Sequence, residues 1–378
     1  MKNTTKGYVI TNWTEDQGLG VQLSYPEDLL VDLDDMMRIF YAHITGAGEA
    51  GNVVVRLEKA RSNVSSYFTG MESENQFMIN FIMELGEDPE IFGEAVLSEI
   101  NQNIIFYLKN ISQNPANRLD ITNELTDYIK NSLTYLARLK NLTKEQVMAQ
   151  IYNSEKGRWI LEILQDQSYS KKELHNLLEE KTGKLIPNFD ILLSHFVKTD
   201  LVRQDWIEGD SDISLFLISD FTIIRSPVSK LLEEAKNGLP NPYIAKKYLE
   251  LATSYFSYYK PTKADNLKMA SHMINPDIFD YIILFRERAY PINKVPRGPG
   301  QTFDQIRRFL ATLEADHVVK IIKDESDAEW IFLLTDISAH KFYPEYLIEN
   351  IRKAVSENVL NKESAVKHLE LLEHSYKK

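Results

Sequence analysis

A hairpin followed by two helices occurs twice in this chain, and few folds accommodate that repetition. The first copy reads Leu201-Val-Arg-Gln-Asp-Trp206, an acidic tip, then Leu215-Phe-Leu-Ile-Ser-Asp220. The second reads Val318-Val-Lys-Ile-Ile-Lys323, another acidic tip, then Ile331-Phe-Leu-Leu-Thr-Asp336. Asp220 and Asp336, which close the two matching runs, stand 116 positions apart. Farther on, Tyr248-Leu-Glu-Leu251 and His368-Leu-Glu-Leu371 match at an offset of 120, so residues were gained in between. One supersecondary unit used twice is the mark of a tandem.

Three helical segments precede the first hairpin. Residues 158–164 carry Trp159, Ile160, Ile163 and Leu164. Ser170-Lys-Lys-Glu173 is a capping box that opens a helix through Lys181, and Gly183 and Pro187 break it. Phe189, Leu192, Leu193, Phe196 and Val197 then recur at the spacing of one helical face. Three helices and a hairpin in that order spell a winged helix, a variant of the helix-turn-helix. Pro227 starts a further helix, and residues 241–259 form another.

The second copy runs from residues 276–286 through a strand-like stretch at 289–295 and the loop Pro296-Arg-Gly-Pro-Gly300. Thr302-Phe-Asp-Gln305 caps its next helix, with Phe303, Ile306, Leu310 and Leu313 expected in the core. The hairpin follows, then Pro344 at another helix start and a closing helix from Lys362. Residues 260–273, which include Pro261, are expected to link the two copies.

The first third reads differently. Residues 7–13 and 21–25 are strands around the turn Gln17-Gly-Leu-Gly20, and residues 34–44 place Met36, Ile39, Phe40, His43 and Ile44 on one helical face. Strands follow at 52–57, 63–69 and 76–83. The last, Phe77-Met-Ile-Asn-Phe-Ile-Met83, is apolar almost throughout, as a strand covered on both faces must be. Asp88-Pro89 opens a helix with Phe92, Val96, Ile100, Ile104 and Leu108 as its stripe, and another helix covers 119–139. The order is β-β-α-β-β-β-α-α. With Trp13-Thr-Glu-Asp-Gln-Gly-Leu-Gly-Val-Gln-Leu-Ser-Tyr-Pro-Glu-Asp28 across the first hairpin, this segment resembles the longin domain. It is most similar to the longin segments at the front of nitrogen permease regulator-like proteins and of archaeal relatives. That resemblance implies a docking platform for a small GTPase or for another longin or roadblock domain.

The expected architecture is therefore α+β: a longin-like five-stranded antiparallel sheet with helices, then two winged-helix units, each followed by a helical pair. The expected divisions are 1–115, connecting helices at 116–152 with a capping box at Thr143-Lys-Glu-Gln146, a first unit at 153–260 and a second at 261–378. A hydrophobic share of 43% and a charged share of 26% suit a folded soluble chain. The opening residues lack the apolar core of a signal peptide and no run is long enough to span a membrane, so the expected location is the cytosol.

Most catalytic chemistries find no support. Without cysteine there is no thiol catalysis, disulfide or thiolate metal site. The eight histidines form no ligand-spaced cluster, and His43 on its apolar face reads as a core residue. Gly46-Ala-Gly48-Glu-Ala-Gly51 has the spacing of a dinucleotide loop but lies after a helix and before a strand, the reverse of what a phosphate site needs. Acidic pairs such as Asp34-Asp35 fall at helix starts, where the helix dipole accounts for them. No enzyme, cofactor or metal is expected.

Charge decides between the remaining classes. Residues 1–110 hold 7 Lys and Arg against 17 Asp and Glu, and the other 268 residues hold 36 against 38, within a total of −12. A DNA-reading winged helix presents basic residues on its third helix and wing. Here the wing tips, Glu208-Gly-Asp-Ser-Asp212 and Asp324-Glu-Ser-Asp327, are acidic. Against them stands one basic patch: Arg286, Arg288, Lys294, Arg297, Arg307 and Arg308. It is the candidate interaction site. Protein contact is the leading reading, as a scaffold or regulator in a small-GTPase or trafficking-type assembly. A DNA-binding regulator is the alternative, and a GTPase-activating role with Arg297 as an arginine finger is a third.

Overall fold

A computed structural model describes residues 6–377 except 17, 30, 46, 47, 88, 93, 184, 187, 188, 208–211 and 299–301, and except the side chains of 90, 94 and 95. The chain divides into two compact units, Met1–Asn141 and Leu142–Lys378.

In the first unit β1 (Gly7–Thr14) and β2 (Gly18–Tyr25) lead to α1 (Leu33–Ile44), then β3 (Gly51–Leu57), β4 (Ser62–Phe68) and β5 (Gln76–Glu84). The sheet is antiparallel throughout, in the order β2-β1-β5-β4-β3. The most apolar strand takes the centre. On one face Met78 and Ile82 join Met36, Ile39 and Phe40 of α1 in a core with Val9, Val64 and Phe68. On the other, Phe81 stacks on Tyr8 with centroids 4.8 Å apart and meets the Phe92 ring edge-on at 5.4 Å. Phe77, Ile79 and Phe81 are all buried, as a doubly covered strand requires. Two long helices, α2 (Glu94–Gln113) and α3 (Arg118–Leu139), complete the unit.

The expected linker at 116–152 is thereby divided. Leu125, Ile129, Leu133 and Leu136 bury the stripe of α3, and Lys140 just past its end bonds Glu87 and lies 5.6 Å from the Phe92 ring centroid. The helix after it, α4 (Lys144–Asn153), belongs to the second unit.

The second unit is a tandem, and each copy starts one helix earlier than the hairpin pattern suggested. The first copy comprises α4, α5 (Glu155–Leu164), β6 (Tyr169–Ser170), α6 (Lys171–Thr182) and α7 (Phe189–Lys198). It continues with β7 (Val202–Asp205), β8 (Ser214–Leu217), β9 (Asp220–Ser226), α8 (Ser229–Lys236) and α9 (Pro242–Tyr258). The second comprises α10 (Lys263–Ile274), α11 (Pro276–Glu287), β10 (Tyr290–Pro291), a 3-10 turn (Ile292–Lys294) and α12 (Phe303–Ala315). It closes with β11 (Val319–Lys323), β12 (Glu329–Leu333), β13 (Asp336–Phe342), α13 (Tyr346–Ser356) and α14 (Lys362–Tyr376).

The expected linker at 260–273 is thus α10, the counterpart of α4. Thr143 and Thr262 cap the two helices, and both pack against each other. Each also pairs with the end of the helix that precedes its own copy's hairpin: Lys144 with Asp200 after α7 at 2.5 Å, Lys268 with Asp316 after α12 at 2.9 Å. The strand expected over 289–295 is only two residues long, because Pro291 offers no N–H to extend the ladder.

Each hairpin carries a short third strand, and the orders match: β6-β8-β7 and β10-β12-β11. The strands after the hairpins depart from the expected pattern. β9 and β13 leave their own copies and pair with one another, antiparallel, from Asp336↔Ser226 to Phe342↔Asp220. Ile223 faces Ala339 at the middle of that ladder, and these positions correspond at the 116-residue offset. The register is symmetric about them, as a two-fold relation between the copies demands.

Candidate functional site

The six candidate cations separate once they are placed. Arg286, at the end of α11, turns inward. Its Nε donates to Asp336 Oδ1 at 2.7 Å, and its Nη2 donates to the Ile337 carbonyl at 2.8 Å and approaches Glu145 Oε1 at 3.4 Å. Burial alone would lower its pKa, but the Asp336 and Glu145 carboxylates outweigh that and raise it. Arg286 therefore ties α11 to β13 and α4, and it drops out of the surface patch. Its counterpart in the first copy, Gln165, makes the matching bond to Asp220 at 3.0 Å.

Arg297 and Arg307 are brought together by one ring. Phe303 and Arg307 are four residues apart on α12, so they share a face. The Arg307 guanidinium lies 5.1 Å from the Phe303 centroid, and Arg297 reaches the same ring at 5.5 Å from the preceding loop. That loop is held by the Tyr281 hydroxyl, which donates to the Pro296 carbonyl at 3.2 Å. Phe303 was expected in the core with Ile306, Leu310 and Leu313. Those three are buried, but Phe303 is half-exposed and serves as a platform for two cations. Arg307 also pairs with Glu329 at 3.1 Å, so part of its charge is answered locally.

The rest of the patch is more dispersed. Arg288 lies 4.7 Å from the ring centroid of Tyr290, whose strand edge begins there. Arg288, Lys294, Arg297, Arg307 and Arg308 are all exposed. The surface is basic with aromatic rings interleaved, but among the described residues only Arg297 and Arg307 share a contact.

The acidic wing of the second copy is built to make its own turn. Asp324 Oδ1 accepts from the backbone N–H of Ser326 at 2.8 Å and of Ala328 at 3.0 Å, and its Oδ2 accepts from Trp330 Nε1 at 3.1 Å. These bonds, the Ser326 hydroxyl foremost, lower its pKa. Lys323 pairs with Asp327 at 3.1 Å. In the first wing, residues 208–211 lie outside the described residues, and Asp212 accepts from Lys172 N at 2.7 Å and Ile213 N at 2.9 Å.

The glycine-rich motif falls between α1 and β3, with Gly46 and Ala47 outside the described residues. Gly48 has φ of 66° and its carbonyl accepts from Met71 N at 2.9 Å, so it works as a helix-to-strand turn. His43 bonds the Ser66 hydroxyl at 2.8 Å inside the first core, and burial lowers its pKa to about 4. Among the described residues no cluster of side chains is arranged to hold a metal ion, and no helix is long and apolar enough to cross a membrane.

The pattern-based reading missed the polar residues that join the copies. Arg225 on β9, with a side chain only 3% exposed, makes two bonds to Asp265, at 2.6 and 2.9 Å. Its Nη1 donates to the Asp316 carbonyl at the end of α12 at 2.8 Å. Lys341, at the corresponding place on β13, donates to the Thr199 carbonyl at the end of α7 at 2.9 Å. Each copy thus supplies a cation to the C-terminus of the helix that precedes the other's hairpin, where the helix dipole favours one. The 116-residue offset between Arg225 and Lys341 was the available signal.

No protein-family model, no curated protein and no solved structure matches the chain.

Proposed function

We propose that the chain is a non-enzymatic scaffold or regulator in a small-GTPase or trafficking-type assembly. In this reading the first unit is a longin-like platform, the second a tandem of two intertwined winged helices, and both bind protein. The observation that carries it is the first sheet, whose helix-covered centre leaves β2 and β3 at free edges. Val21 on β2 and Val54 on β3 are 60% and 49% exposed. Unpaired strand edges with apolar side chains are surfaces on which another chain adds. The strand and helix order of that unit is the one on which the longin resemblance rests. A small GTPase or another longin or roadblock domain is the partner implied.

Affinity capture with the full chain from an extract of its source cells, read by mass spectrometry, tests the reading. Enrichment of small GTPases or longin and roadblock proteins is expected, with loss on Val21→Glu or Val54→Glu. Recovery of nucleic acid alone would replace it with the DNA-binding alternative. That second reading draws on Arg297 and Arg307 around Phe303 and on exposed Arg288, Lys294 and Arg308. The inward turn of Arg286 and the Arg307–Glu329 pair weaken it.

A further inference from the structure

The two copies differ most between the short strand and the helix before the hairpin. In the first copy α6 fills that interval; in the second, no α-helix lies between β10 and α12 among the described residues. A 3-10 turn stands there instead, and the chain buries Ile292 and Val295. Val295 corresponds to Leu174 of α6 at the offset of 121 that relates Tyr290 to Tyr169, each paired with the middle strand of its hairpin. The first turn of α6 therefore has a substitute in the second copy. Its later turns have none among the described residues.

What those turns cover in the first copy is open in the second. Asp200 and His317, with φ of 55° and 56°, follow α7 and α12 and align the two helices at an offset of 117. Phe303 then corresponds to Ile186. α6 encloses Ile186: Glu179 accepts from its N–H at 2.8 Å, His175 Nε2 donates to its carbonyl at 2.8 Å, and the residue is 3% exposed. Phe303, without that helix, is half-exposed. At the far end of α6, Lys181 pairs with Glu162 of α5 at 2.8 Å. The offset of 121, which also matches buried Ile282 and Phe285 of α11 to Leu161 and Leu164, puts Ile283 at that place, apolar and 40% exposed. Charge reverses as well: Lys171 of α6 pairs with Asp190, and Arg307 stands where Asp190 does. Arg297 shares the Phe303 ring with it, so exposed cations flank the open ring.

We infer that an amphipathic helix of a partner protein docks on the second copy, in the place that the later turns of α6 take in the first. Apolar residues three and four apart, the spacing of one helix face, cover Phe303 and Ile283. Carboxylates beside them meet Arg297 and Arg307. Two carboxylates answer the cations on the ring, far fewer charges than a duplex would bring to the acidic wing of the same copy. The inference rests on the protein-binding role proposed for the second unit and not on the longin-like platform of the first.

The experiment selects a display library of short helical peptides on the full chain, with apolar residues fixed three and four apart and Glu, Lys, Gln or Ala admitted at the flanking positions. Enrichment of Glu over Lys is expected, and the selected peptides should bind Ile283→Glu and Arg297→Glu at least tenfold more weakly in anisotropy titrations. Both side chains are exposed, so unchanged melting of the variants is the control for folding. Should Ile283→Glu disturb the fold, Arg297→Glu decides alone. No enrichment, no preference for Glu, or equal binding to the variants overturns the assignment. Displacement of the peptides by submicromolar duplex DNA would give the surface to nucleic acid, and a dimer of the free chain abolished by Ile283→Glu would give it to a second copy; each overturns it too. The capture experiment turns on Val21 and Val54 of the first unit, so the platform reading stands or falls separately.

Discussion

Tyr248 and His368 hold corresponding positions on α9 and α14, and each donates a hydrogen bond to the hairpin of the other copy. The Tyr248 hydroxyl meets the Leu333 carbonyl at 3.0 Å, and His368 Nε2 meets the Leu217 carbonyl at 2.8 Å. The rings repeat the exchange: Tyr248 stacks on Phe332 at 4.7 Å and His368 lies edge-on to Phe216 at 5.4 Å. The two closing helices are thus swapped, and each hairpin is finished by its neighbour. Tyr248→Phe should cost about 1–2 kcal/mol by leaving a buried carbonyl unpaired. His368→Ala also opens a cavity and should cost about 3 kcal/mol. Urea unfolding of the full chain measures both, and losses under about 0.5 kcal/mol would sink the idea that these bonds join the copies.

Neither copy should fold alone. Residues 142–260 lack the helix that covers their hairpin and the strand that pairs with β9, and residues 261–378 lack the same two parts. Expressed separately, each half is expected to show no cooperative monomeric melt, while mixing the halves restores one. A single half that sedimented as a monomer and unfolded cooperatively would refute the exchange.

Arg225 should be among the least replaceable residues. Removing it leaves Asp265 without its guanidinium and the end of α12 without its cation. Breaking a buried pair from one side costs about 3–5 kcal/mol, so Arg225→Ala should lose that much. Arg225→Met combined with Asp265→Leu should be milder than Arg225→Ala, because no unpaired charge remains. A double variant worse than the single one would contradict this account.

Acid should weaken both units. Burial is the first cause that lowers His43, His195 and His368 from the usual 6.5 to about 4, with Lys198 adding to it at His195. Below pH 6.5 the unfolded chain takes up these protons and the folded chain does not, so stability falls as pH drops from 6.5 towards 4. Each histidine contributes on the order of 3 kcal/mol to that loss by pH 4. Thermal melts at pH 7, 5.5 and 4.5 should decline in step. His43→Phe, which removes one of the three groups, should flatten the decline of the first unit; an unchanged slope would count against this cause.

Much of the architecture is legible along the chain, because period and caps report local structure. The run 77–83 announces a covered strand, and the Phe216 and Phe332 motifs announce a repeat. Pairing at long range escapes such a reading. β9 and β13 look like the ends of their own hairpins, and only their register shows that they meet each other. The short helix α10 hides behind Pro261 for a related reason: Met269, Ala270 and Met273 are buried by packing on α4, more than one hundred residues away. The candidate site suffered in the same way. Six cations adjacent in sequence looked like one patch, but Arg286 finds carboxylates on β13 and α4 that no local pattern could supply.

Those placements sharpen the nucleic-acid question. If the second copy bound duplex DNA through the candidate patch, Arg288, Lys294, Arg297 and Arg308 are its exposed members with no ion pair to a described carboxylate, and Arg307 would first have to leave Glu329. Four phosphate contacts would give a slope of roughly −3 to −4 in log affinity against log salt. The wing beside them ends in Asp324, Glu325 and Asp327, which repel phosphate at close range. Charges beyond about 8 Å are screened at 0.15 M salt, so the carboxylates of the wing, in the same copy as the patch, set the local repulsion. We therefore expect weak binding or none at that salt. The measurement is a titration against mixed-sequence duplex at 0.05 and 0.15 M salt, with Arg297→Ala and the Arg307→Ala/Arg308→Ala pair as controls. Submicromolar binding at the higher salt, lost in the double variant, would promote the DNA-binding reading over the scaffold.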